Sequence, residues 1–433
     1  MSTLAEVKLW GTTIGAVALD EGAATAAFEY DRAFLRSGIQ IAPLVMPLSE
    51  RIYSFPALAS SSFHGLPGLL ADSLPDRFGN ALINAWLARQ GRTPGSFNAV
   101  ERLCYIGTRG MGALEFVPAT GPRPGPSTRF DVERMVALAS EILSRREALQ
   151  GDLGPEHGAD ALRDILRVGT SAGGARAKAL IAWNPGTDEV RSGQVDVGKG
   201  FQHWLLKFDG VANNRDRELA DPLGHGAIEY AYHRMAVDCG ITMSACRLLE
   251  EGPRRHFMTR RFDRTPAGGK LHMLTLAALA HLDFNEAGAH SYEQAFQVAR
   301  RLGVPPEARE ELVRRMVFNV VARNQDDHVK NIAFLMDRRG TWSLAPAYDV
   351  TYAYQPDGRW TSSHQMTING RRDDFTPGDL EAAGRAASLK RGRARALLAE
   401  VQDVVRTWPR YAQDAGVSPD QARKIRNAHR VDL

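Results

Sequence analysis

The sequence predicts an α+β fold, with a strand-rich first part followed by a mainly helical second part. Three observations predict it. Short apolar runs set off by glycine and polar turns fill roughly the first 120 residues and recur between residues 162 and 262. The segment Gly121-Pro-Arg-Pro-Gly-Pro126 divides those regions, because three prolines in six residues remove backbone donors and fix φ. Beyond Leu271 the apolar residues fall mostly at helical spacing.

The elements follow in order. Val7 to Leu19 is strand-like with glycine turns, and Ala26-Ala-Phe-Glu-Tyr30 is its expected partner. Gly65-Leu-Pro-Gly-Leu-Leu-Ala-Asp-Ser-Leu-Pro-Asp76 leads into an amphipathic helix, Arg77 to Gln90, and Met111 to Pro118 reads as a closing strand. Residues 1–120 therefore form an N-terminal module. Past the proline break, Asp131 to Gln150 has helical spacing and residues 151–158 are Gly/Pro/His-rich. Three strands are expected at Ala179–Trp183, His203–Phe208 and His256–Phe262. Between the last two lies a helix, Ala227 to Cys239, with Ile228, Tyr232, Met235 and Ala236 on one face. Residues 127–265 complete the strand-rich lobe, and residues 266–433 form the helical lobe. In that lobe an apolar helix ends near Ala322, and helix resumes from Asp379 to Thr407, just before Pro409.

The 433 residues are enough for two or three domains with substantial cores. A net charge of +4 permits nucleic-acid contact without arguing for it. Cys104, Cys239 and Cys246 are too few and too scattered for a disulfide framework or a zinc site, as expected of reduced cytoplasmic thiols. The N-terminus lacks a basic region followed by an apolar run, and no segment has the length of a membrane span. The expectation is a cytoplasmic protein without membrane association.

Residues 324–349 carry the chemistry. They read Asn-Gln-Asp-Asp-His-Val-Lys-Asn, a strand Ile332–Met336, a turn Asp337–Gly340, a strand Thr341–Leu344, and then Ala-Pro-Ala-Tyr-Asp349. Asp326 and Asn331 have the separation of the catalytic Asp and metal-binding Asn in a protein-kinase catalytic loop. A hairpin between them and Asp349 returns that carboxylate to Asn331, supplying a second oxygen ligand for Mg²⁺. The structural alternative is turn capping, to which Asn, Asp and His are suited. An apolar helix before the cluster, a hairpin after it and a further Asp at its end favour phosphoryl transfer.

Other parts fit a two-lobed, protein-kinase-like fold. Gly169-Thr-Ser-Ala-Gly-Gly-Ala-Arg-Ala-Lys178 has glycines that let backbone amides approach phosphate oxygens. It is neither a P-loop, since Ala175 follows Gly174, nor the kinase Gly-x-Gly-x-x-Gly pattern. Lys207 lies in the apolar run Trp204–Phe208, an inward-looking context for an ammonium that needs an anionic partner such as an ATP phosphate. The alternative is a solvent-facing lysine on an edge strand. Glu229 on the next helix is a candidate carboxylate partner for Lys207, or else a solvated surface residue. His328 and Lys330 are either exposed loop residues or contacts to nucleotide and transferring phosphate.

Taken together, Gly65–Asp76, Ser171–Lys178, Arg261-Phe-Asp-Arg264, Asp326–Asn331 and Leu344–Asp349 resemble the HipA family of bacterial toxin Ser/Thr kinases over nearly the whole chain. The resemblance implies that Asp326 is the catalytic Asp and that Asn331 and Asp349 hold Mg²⁺. It implies ATP contacts from Gly173, Gly174, Ala175, Arg176, Ala177, Lys178 and Lys207. Arg260, Arg261 and Phe262 would form the hinge at adenine, and His328, Lys330, Asn331 and Tyr348 would line the nucleotide. Ser171 matches an inhibitory autophosphorylated serine, with Thr170 as the adjacent acceptor; a phosphoryl group there adds about −1.5 to −2 charges to a loop that must receive ATP phosphates. Arg260 stands where better-known members carry an acidic residue, and this loop is richer in Gly and Ala.

The resemblance further implies an ATP- and Mg²⁺-dependent protein Ser/Thr kinase, the toxin of a toxin–antitoxin pair. An aminoacyl-tRNA synthetase is the implied substrate and growth arrest the outcome. A HipB-like helix-turn-helix antitoxin is the implied partner, and DNA is reached only through it. Two other readings stand beside this one: a small-molecule phosphotransferase with the same Asp-x₄-Asn logic, and a catalytically silent corepressor. The basic run Lys390-Arg-Gly-Arg-Ala-Arg395 is either a solvated helix face or a phosphate-backbone contact.

Overall fold

The computed structural model describes residues 2–121, 135–137, 139–140, 176–187, 189–193, 200–211, 223–265 and 268–433. The chain divides into two compact units. The first comprises residues 1–39, 48–226 and 247–272, and the second residues 40–47, 227–246 and 273–433.

The first unit holds two sheets. Strands β1 (Thr3–Leu9), β2 (Thr12–Leu19), β3 (Ala27–Tyr30) and β4 (Leu114–Val117) pair antiparallel in the order β3-β2-β1-β4. The strand expected to pair with the opening hairpin does so, and the expected closing strand lies on the other side of β1. The longest helices between β3 and β4 are α1 (Arg77–Arg89), capped by Asp76 accepting from the Gly79 N–H, and α2 (Ala99–Ile106), with an Asn98/Glu101 capping box at its start. The second sheet runs β6-β5-β7-β9-β8, with β5 (Lys178–Asn184), β6 (Glu189–Ser192), β7 (Gln202–Lys207), β8 (Cys246–Glu251) and β9 (Arg254–Arg260). Phe78, Leu82 and Ile83 of α1 share one buried apolar cluster with Ala179, Ile181, Leu206 and Met258 of this sheet. Burying such side chains supplies about 1.5–3 kcal/mol each relative to exposure.

Three expectations for this unit are corrected. The sheet has five strands rather than three. The two extra ones, β6 and β8, lie at its edges, and their short runs mix apolar residues with charged ones. The third expected strand ends at Arg260, because Arg261 and Asp263 turn into a buried ion cluster. Lys207 is on the central strand, between β5 and β9, so the edge-strand reading is excluded.

The second unit is mainly helical: α3 (His225–Asp238), α4 (Leu276–Ala280), α5 (Tyr292–Arg301), α6 (Pro306–Val321), α7 (Pro377–Ala386), α8 (Arg393–Arg406), α9 (Trp408–Ala415) and α10 (Pro419–Ala428). The apolar helix α6 is its spine, and α5, α7 and α8 pack against it. Strand β10 (His272–Thr275) lies beside the hairpin of β12 (Ala333–Met336) and β13 (Trp342–Leu344), and β11 (His290–Ser291) pairs in parallel with β14 (Met366–Thr367). The hairpin and its turn stand where the sequence puts them. The strand β10 just past Leu271 was not expected.

The helix expected over residues 379–407 is two helices. Gly392, at φ +82°, allows the turn between them, a conformation that other residues adopt at a cost. The basic run is accordingly not one helix face. Lys390 and Arg391 are exposed in the turn, while Arg393 bridges Glu310 at 2.8 Å and Glu400 at 2.5 Å, and Arg395 pairs with Glu381 at 3.2 Å.

Candidate active site

In the second unit, α6 delivers the chain into an irregular loop that is pinned from beneath. The Asp327 carboxylate is buried and accepts from Tyr292 Oη at 2.8 Å and from the Gln365 N–H at 2.8 Å, with His364 Nδ1 at 2.8 Å. Tyr292 Oη in turn accepts from Asn319 Nδ2, and Asn319 Oδ1 from Asn324 Nδ2, both at 2.9 Å. Burial and then the neighbouring Asp327 hold the Tyr292 phenol well above its ordinary pKa, so it remains a donor. This buried network fixes the loop's course.

With Asp327 turned inward, the half-buried Asp326 stands at the loop's working edge. Trp360 Nε1 donates to Asp326 Oδ1 at 2.5 Å, and Asn331 Nδ2 donates to the Asp326 carbonyl at 2.8 Å. The loop thus closes on itself across the five-residue spacing. Tyr348 Oη donates to the Lys330 carbonyl at 2.5 Å, tying the residue before Asp349 to the residue before Asn331. The hairpin between them therefore returns Asp349 to the loop, as the sequence requires. Asp349 is left-handed at φ +52°, a conformation that Asp tolerates better than most residues and that commonly marks functional turns. Lys330 Nζ lies 4.2 Å from the centre of the Phe284 ring, and the His328 ring is 6.0 Å from the same ring.

Asn331, whose Nδ2 donates to the Asp326 carbonyl, and Asp349 are the residues here that would hold a hard divalent cation. Mg²⁺ is ordinarily held by one or two side-chain oxygens plus substrate phosphates rather than by an all-protein cage. Among the described residues no group of three or more His, Cys, Asp or Glu side chains is arranged to hold a metal.

The first unit contributes the other predicted residues. Lys178 and Lys207 are direct cross-strand partners and both are buried. Lys178 Nζ pairs with Asp76 at 3.1 Å, and Lys207 Nζ lies 5.7 Å from the Phe257 ring centre. Asp76, the last residue of the Gly65–Asp76 motif, thus both caps α1 and neutralises a sheet lysine. Arg176 contacts the ring of His225, which burial first, and then Arg176 and Lys207, hold well below its ordinary pKa. Arg176, Lys178 and Lys207 place three cationic side chains at this end of the sheet. Ala177 is buried. Thr170, Ser171, Gly173, Gly174 and Ala175 lie outside the described residues, as do the helix expected over residues 131–150 (apart from 135–137 and 139–140), the loop at 151–158 and all of the proline-rich break beyond Gly121. Glu229 is buried on α3 rather than solvated.

At the expected hinge, Arg261 points its guanidinium inward. Nε donates to Asp263 Oδ1 at 2.9 Å and Nη2 to Oδ2 at 2.6 Å. Arg264 Nη1 at 2.7 Å and the Gly112 N–H at 2.7 Å complete the shell around Oδ2. Arg261 is therefore an anchor here, and its main-chain N–H donates to the His203 carbonyl at 2.9 Å. Arg260 and Phe262 flank it, both half-buried.

Sequence reasoning missed Asp327, Trp360, His364 and Asp263 as organisers of these sites. An Asp-Asp doublet does not say which member turns inward. Trp360 and His364 lie more than thirty residues from the carboxylates they hold, with no periodic pattern to mark them.

A strand-rich unit bearing a buried lysine, and a helical unit whose loop carries Asp and Asn five residues apart with a second Asp returned by a hairpin, define the protein-kinase-like class. A model of the HipA N-terminal domain matches residues 5–117, and a model of the HipA-like C-terminal domain matches residues 170–408. The chain belongs to the HipA family. A curated relative, protein Y4dM of Sinorhizobium fredii, named as a kinase, is 34% identical over 95 residues. That match spans 21% of this chain and 22% of the relative, about a fifth of its length. Among solved structures, a chain of the Shewanella oneidensis MR-1 toxin–antitoxin complex of HipA, HipB and operator DNA superposes with a TM-score of 0.67 at 19% identity. The superposition covers 98% of this chain and 94% of that one, a likeness of fold. No helix among the described residues is long and apolar enough to cross a membrane.

Proposed function

We propose that this chain transfers the γ-phosphoryl group of ATP to a protein Ser or Thr hydroxyl, acting as the toxin of a HipA/HipB-like pair. The observation that carries the reading is the loop closed by Asn331 on the Asp326 carbonyl, with Asp349 brought back by the Tyr348 contact to Lys330. Asp326 orients the acceptor hydroxyl and takes its proton as the bond to phosphorus forms and the bond to the ADP oxygen breaks. Asn331 and Asp349 would hold Mg²⁺, which would supply charge neutralisation. Lys207, Arg176 and Lys178 favour phosphate at their end of the sheet, and Lys330 and His328 face the nucleotide from the loop. Catalysis of this kind is chiefly positioning and electrostatic stabilisation.

Regulation follows from the same chemistry. A phosphoryl group on Ser171, or on the neighbouring Thr170, adds negative charge to a segment that otherwise receives ATP phosphates, and transfer stops. A HipB-like helix-turn-helix protein is the proposed partner, with DNA reached through it. An aminoacyl-tRNA synthetase is the proposed acceptor.

The test is incubation of the purified protein with Mg²⁺ and ATP, followed by phosphosite mapping by mass spectrometry and measurement of ATP binding. Phosphate appearing on Ser171 or Thr170 supports a self-silencing protein kinase. ATP binding with no protein phosphorylation, from a preparation of unmodified intact mass, points to a small-molecule acceptor. Absence of ATP binding contradicts the proposal.

A further inference from the structure

The two adjacent carboxylates of the loop are held by one short stretch, residues 360–365. His364 and the Gln365 N–H hold the buried Asp327, while Trp360 Nε1 donates to Asp326 Oδ1 at 2.5 Å. The stretch is itself braced: Gln365 Nε2 donates to the Trp360 carbonyl at 2.5 Å and to the Gln325 carbonyl at 3.2 Å. Gln365 therefore links Trp360 to the residue just before Asp326. An indole N–H is a donor only and is rigidly placed by its ring. An aspartate that must meet a hydroxyl in line with a phosphorus atom tolerates little misplacement.

We propose that Trp360 is a positioning residue for Asp326. Its N–H locks the carboxylate in the rotamer that meets the acceptor hydroxyl, and Gln365 holds the indole in register with the loop. The proposal rests on Asp326 being the group that orients the acceptor. It adds to that reading a residue which touches neither ATP nor acceptor in the proposed mechanism, yet governs the turnover rate. Trp360 acts on the acceptor side alone, so its loss separates turnover from nucleotide binding.

The test compares the full-length wild type with Trp360→Phe, which keeps the ring's apolar bulk and removes the N–H, and with Trp360→Tyr as a second variant should the first fold poorly. Three quantities are read: kcat for phosphoryl transfer, KM for ATP, and the indole ¹H–¹⁵N resonance of Trp360, assigned by its disappearance in Trp360→Phe. The proposal expects kcat to fall about 10- to 100-fold with KM for ATP within about twofold of wild type. It expects the Trp360 indole resonance to shift in Asp326→Asn. It also expects Trp360→Phe to cost nothing further in that Asp326→Asn background, since the two act as a unit. A purely structural tryptophan would give additive losses and a resonance indifferent to Asp326. An active wild type with unchanged kcat in Trp360→Phe, or a resonance that stays put in Asp326→Asn, overturns the proposal while leaving the kinase reading intact. A wild type that transfers no phosphate overturns the kinase reading, and this proposal with it.

Discussion

Replacing Asp263 by Asn tests the structural logic most severely. The carboxylate is fully buried between Arg261 and Arg264 and accepts a backbone N–H from Gly112, in the turn leading into β4. Burial alone would push its carboxyl up; the two guanidiniums and the Gly112 N–H outweigh that and hold it well below the ordinary value of 3.8. Removing the charge leaves two buried guanidiniums facing a neutral amide, a change that typically costs about 3–5 kcal/mol. For a unit of this size that corresponds to a fall in melting temperature of roughly 6–20 °C. Because the folded carboxyl titrates below its unfolded value, its contribution is complete above about pH 4 and fades as pH falls further. Wild type should thus lose stability below pH 4 more steeply than the variant. Thermal and urea unfolding from pH 3 to 7, followed by tryptophan fluorescence and circular dichroism, measure both quantities. A loss below about 1 kcal/mol at pH 7, or parallel pH curves, would mean that this ion cluster does not hold the segment.

Two further predictions concern other buried groups. Lys178→Met removes the buried cation paired with Asp76 and should destabilise by about 3–5 kcal/mol; Asp76→Asn should cost as much, and the double variant less than the sum, which a double-mutant cycle in urea would show. His429 lies against Tyr232 and Trp408, with Nε2 at 2.9 Å from Tyr232 Oη, and burial first, then Arg323, lowers its pKa from 6.5 to about 3. Its neutral form is the folded one, so stability is complete above pH 6.5 and declines by about 1.4 kcal/mol per pH unit between there and pH 3; His429→Gln should flatten that acid limb in unfolding curves.

Much of the fold was legible because its signals are local. The hairpin at 332–344 announces itself by a buried strand, an Asp-Arg-Arg-Gly turn and a second strand, and α1 by a period matched to its Asp76 cap. Strands β6 and β8 were not legible, since these short edge strands interrupt their apolar residues with charged ones, as in Glu189-Val-Arg-Ser192 and Cys246-Arg-Leu-Leu-Glu-Glu251. The break between α7 and α8 hides in a run of good helix formers, and only Gly392 marks it. The Asp326/Asn331 spacing is likewise written in the chain, because both residues belong to one loop. Contacts such as Trp360 to Asp326, or Asp263 to Gly112 across 151 residues, are set by tertiary packing, and no short-range pattern encodes them.

The claim that Asp326 organises transfer is tested most directly by γ-phosphoryl transfer from labelled Mg²⁺–ATP, comparing wild type with Asp326→Gln at equal concentration and with matched melting temperatures. The account predicts that label incorporated by wild type falls by about 10²- to 10⁴-fold in the variant while ATP still binds. Incorporation by Asp326→Gln at the wild-type rate would contradict it.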